Sequence, residues 1–249
     1  MFKAYSALAG LYEKLTAYDG NGEWAEYVCK KLSEYAPNKK GIDCACGSGY
    51  FTRAEKRAGF DVSGTDISEE MLRYAEENSI KAKLNISYTL QNMENLKTFE
   101  KVGFITVIND GINYVKQDRL LKTFCSFNKA LIAGGILAFD ISSEYKLKNI
   151  IGNNMFGEDD DDVSYMWFNK LLSDRVVMDL SFFIKEGETY IKKEEHHEQY
   201  IHTRESVEQA LSAAGFTIKE ESGRLGENLS DNSERIIFIV SKVKNGQNI

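Results

Sequence analysis

The stretch Asp43-Cys44-Ala45-Cys46-Gly47-Ser48-Gly49 restricts the possible folds more than any other part of the chain. Gly41 to Cys46 has the apolar texture of a buried strand, and Tyr50 to Ala58 has helical spacing closed by Gly59. Gly47 and Gly49 join the two through a turn whose backbone a ligand can approach closely. Phe60 to Asp66 reads as the next strand, and Ser68 caps a helix with Glu69 and Glu70 in its first turn, where the helix dipole favours anions. Ile86 to Leu90, Phe104 to Ile108 and Ile136 to Ile141 are three further strands. This alternation predicts an α/β fold, a mostly parallel sheet with helices on both faces.

The flanks have a different texture. Tyr5, Leu8, Tyr12 and Leu15 follow helical spacing, Asp19 to Gly22 is a turn, and Trp24, Tyr27, Val28, Leu32 and Tyr35 form a second amphipathic stripe. Residues 142–162 are polar and end in Glu158 to Asp162, a solvated loop without the glycine and distal glutamate of a calcium loop. Tyr165 to Tyr200 predicts a small antiparallel sheet turning at Gly187. Glu205 to Ala214 predicts a helix, with Phe216 to Ile218 and Arg235 to Val240 as a terminal hairpin. Four regions result: a helical cover (1–36), an α/β core (37–141), a β-rich insertion placed to cap a substrate (142–204), and a helix and hairpin completing the core (205–249).

Lys plus Arg number 31 and Asp plus Glu 38, a net charge of −7, which lacks the basic footprint of a nucleic-acid binder. No apolar run approaches the ~20 residues of a membrane helix. Met1 to Tyr5 lacks the basic-then-apolar pattern of a secretory signal. Cys44 and Cys46 lie too close on one strand for an unstrained disulfide, and Cys29 and Cys125 have helical contexts. Reduced thiols and a cytoplasmic location are the expectation.

Three ligands compete for the glycine turn. A phosphate-cradling loop ends in Gly-Lys-Ser/Thr, whereas Gly49 is followed by Tyr50-Phe51. A dinucleotide turn has a third glycine where Thr52 stands, and it sets a pyrophosphate on the helix N-terminus. Asp43 opposes an anion there: at ~4 Å and an effective dielectric of ~20 the raw repulsion is about 4 kcal/mol. The same carboxylate attracts a cation, which tips the balance towards S-adenosylmethionine with its ammonium and sulfonium. Asp66 at the second strand's end suits a ribose in either case, and Gln91-Asn92-Met93 after the third offers an amide to an adenine amino group.

With these motifs in this order, the chain resembles the class I S-adenosylmethionine-dependent methyltransferases. Asp43 to Gly49 looks like their first motif and Gly64-Thr65-Asp66-Ile67-Ser68-Glu69-Glu70-Met71-Leu72 their second. Gln91-Asn92-Met93 looks like the third, with Asn92 where the family usually has Asp. Leu131-Ile132-Ala133-Gly134-Gly135-Ile136-Leu137 resembles the segment before the fifth strand, with Ala133 in place of proline. The likeness runs over 1–243 and is specific over 41–141. Ile108 to Tyr114 and the β-rich insertion are similar to a bacterial small-molecule group related to sugar-amine N,N-dimethyltransferases and glycine N-methyltransferase.

The resemblance implies a Rossmann-like methyltransferase fold with a seven-stranded sheet, and S-adenosyl-L-methionine as cofactor. It places Asp43, Gly47 and Gly49 along the methionine moiety, Asp66 on the ribose, and Ile67, Asn92 and Met93 on the adenine. Tyr12 and Asn109 fall near the methionine end, and Ala45 and Met71 complete the cofactor set. The Asn-Pro-Pro-Tyr motif linked to planar amides and adenine amino groups is absent, so the expected acceptor is a small molecule, an amine nitrogen ahead of a hydroxyl. No nucleic-acid or membrane partner is expected, and no residue pattern indicates an oligomeric state.

Methyl transfer from a sulfonium is an in-line displacement. Holding the reacting atoms ~3–3.5 Å apart can itself supply up to about 7–11 kcal/mol, so a base is not obligatory. The candidates for deprotonating or orienting an acceptor are Asp110, Asn113 and Tyr114 after the fourth strand, and His196, His197 and His202 in the insertion. Alternation along a strand turns at most one of His196 and His197 to a pocket, and His197 is the one retained. His196, Glu198 and His202 are too loosely spaced for a metal, and none is expected. Tyr5, Tyr12, Tyr18 and Trp24 are either a lid over the cofactor or helix–sheet packing. The rival functions are a non-catalytic regulatory protein that binds S-adenosylmethionine and an NAD-dependent oxidoreductase, the latter disfavoured by Asp43 and Thr52.

Overall fold

The computed structural model describes residues 20–243. Helix α1 (Asn21–Tyr35) leads into β1 (Lys40–Cys44), and strand and helix then alternate through α2 (Tyr50–Arg57), β2 (Asp61–Asp66), α3 (Glu69–Lys81) and β3 (Tyr88–Leu90). After β4 (Val102–Val107) come α4 (Leu120–Ala130) and β5 (Leu131–Ser142). A second block, β6 (Met155–Glu158), β7 (Val163–Leu171), β8 (Arg175–Glu186) and β9 (Thr189–Tyr200), precedes α5 (Arg204–Ala213), β10 (Phe216–Ser222) and β11 (Arg235–Lys242).

Side-chain alternation shows how the main core is divided. Leu137, Phe139 and Ile141 of β5 join one apolar cluster, while Ile136 and Ala138 join another; Phe238 and Val240 of β11 split from Ile237 and Ile239 in the same way. Successive residues of a strand leave opposite faces, so one sheet lies between two cores. The first core includes Phe124 and Phe127 of α4 and Val207 and Leu211 of α5; the second includes Trp24, Val28 and Leu32 of α1 and Phe51 of α2.

The sheet runs β10-β11-β5-β4-β1-β2-β3. Neighbours are parallel from β3 through β5, whereas β11 is antiparallel to both β5 and β10. The α/β architecture expected from the sequence is therefore present, including the terminal antiparallel pair. After β1 the chain winds outward through β2 and β3, then returns to β1's other edge with β4. Such a reversal opens a crevice at the carboxyl ends of β1 and β4.

Several local expectations change. The Gly134-Gly135 pair lies inside β5, not before it: Val102 pairs Leu131 and Phe104 pairs Ile136, so Ile132 to Gly135 bulge out opposite Gly103. Only Tyr88 to Leu90 of the expected third strand pairs with β2, and Ile108 lies beyond β4. Helix α1 starts within the expected turn, with Gly20 left-handed (φ 68°) at its N-cap. Glu158 is in β6, not in a loop. The helix expected over residues 4–19, Tyr12 included, lies outside the described residues.

The strands β6 to β9 form a separate antiparallel sheet in chain order, turning at Gly187 (φ 64°). It packs on a small core of Leu147, Ile151, Val176 and Met178. Asn113 ties it to the main sheet: its amide donates to the carbonyls of Ser142 (3.2 Å) and Tyr200 (3.0 Å), and its oxygen accepts from Ser142 N–H (2.9 Å). No helix among the described residues is long and apolar enough to cross a membrane.

Candidate functional site

The crevice is built where β1 gives way to α2. Ala45 (φ 54°), Gly47 (φ 53°) and Gly49 (φ 79°) are all left-handed, which folds the chain sharply back into the helix. The carboxylate of Asp66, at the end of β2, holds this turn in place: Oδ2 accepts from Gly47 N–H and Oδ1 from Ser68 N–H, both at 2.9 Å. Ser68 in turn caps α3 by accepting from Met71 N–H. Burial pushes the Asp66 carboxyl above its ordinary range, opposed by these backbone donors.

Asp43 lies on the face of β1 that carries α2. Thr52 donates to it at 2.6 Å and Thr106 of β4 at 3.3 Å. Burial raises its pKa to about 7, against the two threonine hydrogen bonds, and the charge of Asp66 adds to the rise. One turn beyond Thr52, Glu55 is buried with neither carboxyl oxygen hydrogen-bonded, and burial followed by the charge of Asp43 pushes it well above the usual carboxylate range.

A cavity of about 160 Å³ opens at this edge, lined among others by Asp43, Gly47, Asp66, Met71, Met93 and Tyr114. Its described lining includes two carboxylates and no Lys or Arg, with apolar and aromatic walls from Ile67, Met71, Met93, Tyr50, Phe51 and Ile108. A cation carrying a flat ring fits these walls, and a pyrophosphate does not. A Cβ built on Gly47 meets no atom within 4 Å, so that backbone is open to a ligand. The residues present fit S-adenosylmethionine.

Of the residues the sequence singled out, Asp43, Ala45, Gly47, Asp66, Ile67, Met71, Met93, Asn109 and Tyr114 line this cavity. Gly49 does not: a Cβ there falls 2.5 Å from Tyr88 Oη and 3.1 Å from Ala75 Cβ, so packing against β3 and α3 requires the glycine. Asn92 is exposed and outside the lining, its oxygen accepting from Glu94 N–H to cap the 3₁₀ turn Met93–Asn95.

The catalytic candidates Asp110 and Asn113 lie outside this lining and are engaged in hydrogen bonds within the fold. Asn109 (φ 63°) and Asp110 (φ 52°) form a left-handed corner whose N–H groups both donate to buried Asp140, itself paired with Arg235. The Asp110 carboxylate accepts from Ser142 Oγ at 2.7 Å, and Asn113 is consumed by the tie between sheets. His196 is half-buried beside Asp179, and His202 is buried against Gln117 and the Val115 carbonyl. Among the described residues no group of three or more His, Cys, Asp or Glu is arranged to hold a metal.

His197, by contrast, is buried and reaches Tyr114: Nδ1 lies 3.2 Å from the phenol oxygen and Nε2 2.8 Å from buried Glu195. Sequence reasoning missed Glu195, which stands two positions from His197 on the same face of β9. It also missed Asn21, Cys46, Ser48, Tyr50, Phe51, Ser68, Ile108 and Gly111 of the lining, most of them adjacent to motif residues already singled out.

Known proteins match over nearly all of the chain. The methyltransferase-domain family profile matches residues 42–135. A Bacillus subtilis protein provisionally named a methyltransferase is 31% identical over 247 residues, covering 96% of this chain and 98% of that protein. The crystal structure of an S-adenosylmethionine-dependent methyltransferase from Clostridium acetobutylicum is similar with a TM-score of 0.89 at 32% identity, over 96% of this chain and 99% of that one. An amino pentose methyltransferase from Micromonospora echinaspora, solved with S-adenosylmethionine bound, shares the fold at 15% identity and a TM-score of 0.73, over 94% of this chain and 97% of that one.

Proposed function

The chain belongs to the class I S-adenosylmethionine-dependent methyltransferases, and on that premise we propose that it methylates a small-molecule acceptor, an amine nitrogen ahead of a hydroxyl oxygen. S-adenosylmethionine supplies an electrophilic methyl carbon on a sulfonium. Asp43 receives the ammonium of the methionine end, beside the backbone of Ala45 and Gly47 and near Asn109. Asp66 accepts from the ribose hydroxyls with the lone pairs its two backbone donors leave. Ile67, Met71 and Met93 hold the adenine.

The observation that carries this reading is the position of Tyr114. It lines the donor cavity and also a polar groove formed with Glu94, Lys116, Arg119, Lys122, Glu198 and Tyr200. An acceptor in the groove thus meets the donor beside one phenol, beneath the sheet β6–β9, which serves as its cap. The net charge of −7 supports leaving nucleic acids aside, and four free thiols support a cytoplasmic location. A hydroxyl acceptor is the second reading, favoured by the Tyr114–His197 hydrogen bond, because a hydroxyl needs a base more than a neutral amine does.

The test is transfer of radiolabelled methyl from S-adenosylmethionine across amines, amino sugars, phenols and aliphatic alcohols. Labelled amines are the expected product. Tight donor binding with no label in any small molecule overturns the reading.

A further inference from the structure

Tyr114, His197 and Glu195 form a continuous chain from the donor cavity into the interior of the cap. Tyr114 follows β4 and faces the cavity; His197 and Glu195 stand on β9, buried among the cap's inward side chains. The Glu195 side chain has no exposed surface, and its Oε2 lies 2.8 Å from His197 Nε2. With the Glu195 carboxyl oxygen accepting, Nε2–H is the donor there. That fixes the tautomer and leaves Nδ1 as an acceptor, 3.2 Å from the Tyr114 oxygen, whose O–H donates to it. In this arrangement the proton of Tyr114 lies on the His197 side of the phenol oxygen.

We propose that Glu195, His197 and Tyr114 are a proton relay that deprotonates the acceptor, Tyr114 acting as the catalytic residue and Glu195 as a positioning residue that sets the His197 tautomer. The inference rests on the methyltransferase reading. The acceptor is an ammonium or a hydroxyl whose proton passes to Tyr114 Oη as the tyrosine's own proton passes to His197 Nδ1. The freed electron pair on nitrogen or oxygen forms the bond to the methyl carbon, and the carbon–sulfur pair stays on sulfur. His197 leaves the step as an imidazolium beside Glu195, and its proton goes on to solvent. One strand of the cap, β9, thus belongs to the chemistry as well as to acceptor binding.

Two measurements test the relay. The first needs no acceptor: ¹⁵N-histidine NMR of the whole protein should show His197 protonated on Nε2, with the His197→Gln variant assigning the signal. The signal should change in Glu195→Gln, while His196 and His202 keep theirs. The second uses the acceptor labelled most strongly in the methyl-transfer panel. Glu195→Gln and Tyr114→Phe should lower kcat by roughly tenfold and roughly 100-fold, the scale of lost general-base catalysis. In Glu195→Gln the acceptor KM and donor Kd should stay within about twofold, and the pH profile of kcat should move. His197 protonated on Nδ1, donating to the tyrosine, overturns the relay whatever the acceptor; so does a Glu195→Gln kcat equal to that of the parent. A panel in which nothing is labelled counts against the acceptor class and leaves the histidine spectra to decide the relay.

Discussion

Asp43 shows how one buried carboxylate couples the fold to the cofactor. Its folded pKa, about 7, stands above the ordinary 3.8, so the empty protein holds a proton there that the unfolded chain has lost. The sign follows: this group's contribution to stability declines as pH rises from about 4 towards 7. A cationic donor beside Asp43 favours the ionised form, so binding below about pH 7 must release a proton. Calorimetric titration with S-adenosylmethionine should show Kd weakening by up to roughly tenfold per unit of pH below 7. Asp43→Asn should bind more weakly and with a flat profile; an equally steep profile in that variant contradicts the assignment. The two turn glycines separate on similar grounds. Gly47→Ala puts a methyl into open cavity, at about 1–2 kcal/mol of left-handed strain, and should weaken donor binding by roughly tenfold or more. Gly49→Ala drives a methyl into Tyr88 and should cost about 2–4 kcal/mol in chemical denaturation, with the folded fraction binding donor normally.

At the scale of elements, the cap's attachment to the sheet depends on Asn113, which its place after the fourth strand made a catalytic candidate. Asn113→Ala removes one acceptor and two donor interactions and leaves the Ser142 and Tyr200 carbonyls and the Ser142 N–H in a dry interior. It should lower stability by about 2–4 kcal/mol in urea unfolding, given about 1–3 kcal/mol for each buried group left unpaired and partial relaxation. Donor affinity of the folded variant should be unchanged; loss of donor binding at full stability would place Asn113 in the cofactor site after all. The strands themselves were legible because burial on both faces writes apolar runs, as in Phe104-Ile105 and Ile136 to Ile141. Strand limits were not: Gly134-Gly135 reads as a turn, yet the pair sits in a bulge whose register β4 decides. The hydrogen bonds of Asn113 and Asp110 within the fold were not legible for a related reason. Polar residues after a central strand serve either a ligand or the neighbouring backbone, and only the register of β5 and β9 decides which.

Across the whole molecule, the cavity is where the sheet's winding reverses, so distant segments supply it: 43–51, 66–71 and 108–114, with Asn21 and Met93 beside them. The succession of strands and helices was written in the alternation of patterns, so Asp43, Asp66 and Met93 could be placed at or after successive strands from sequence, and the family resemblance brought them to one site. The link from β9 to Tyr114 was not, because Glu195 and His197 lie more than 80 residues from Tyr114 and no local pattern encodes that pairing. This division of labour has a dynamic consequence. Donor binding should protect the three segments at the sheet edge, where Gly47 N–H and Ser68 N–H are already ordered by Asp66. The far end of the β8–β9 hairpin, with exposed residues from Gly187 to Glu194, contacts neither cavity and should exchange quickly with or without donor. Hydrogen–deuterium exchange with and without S-adenosylmethionine checks this directly. Slowed exchange over 43–51, 66–71 and 108–114 with an unchanged hairpin tip is expected. Slowing centred on the hairpin, with the three edge segments unaffected, would put the donor on the cap and detach Asp43 and Asp66 from it.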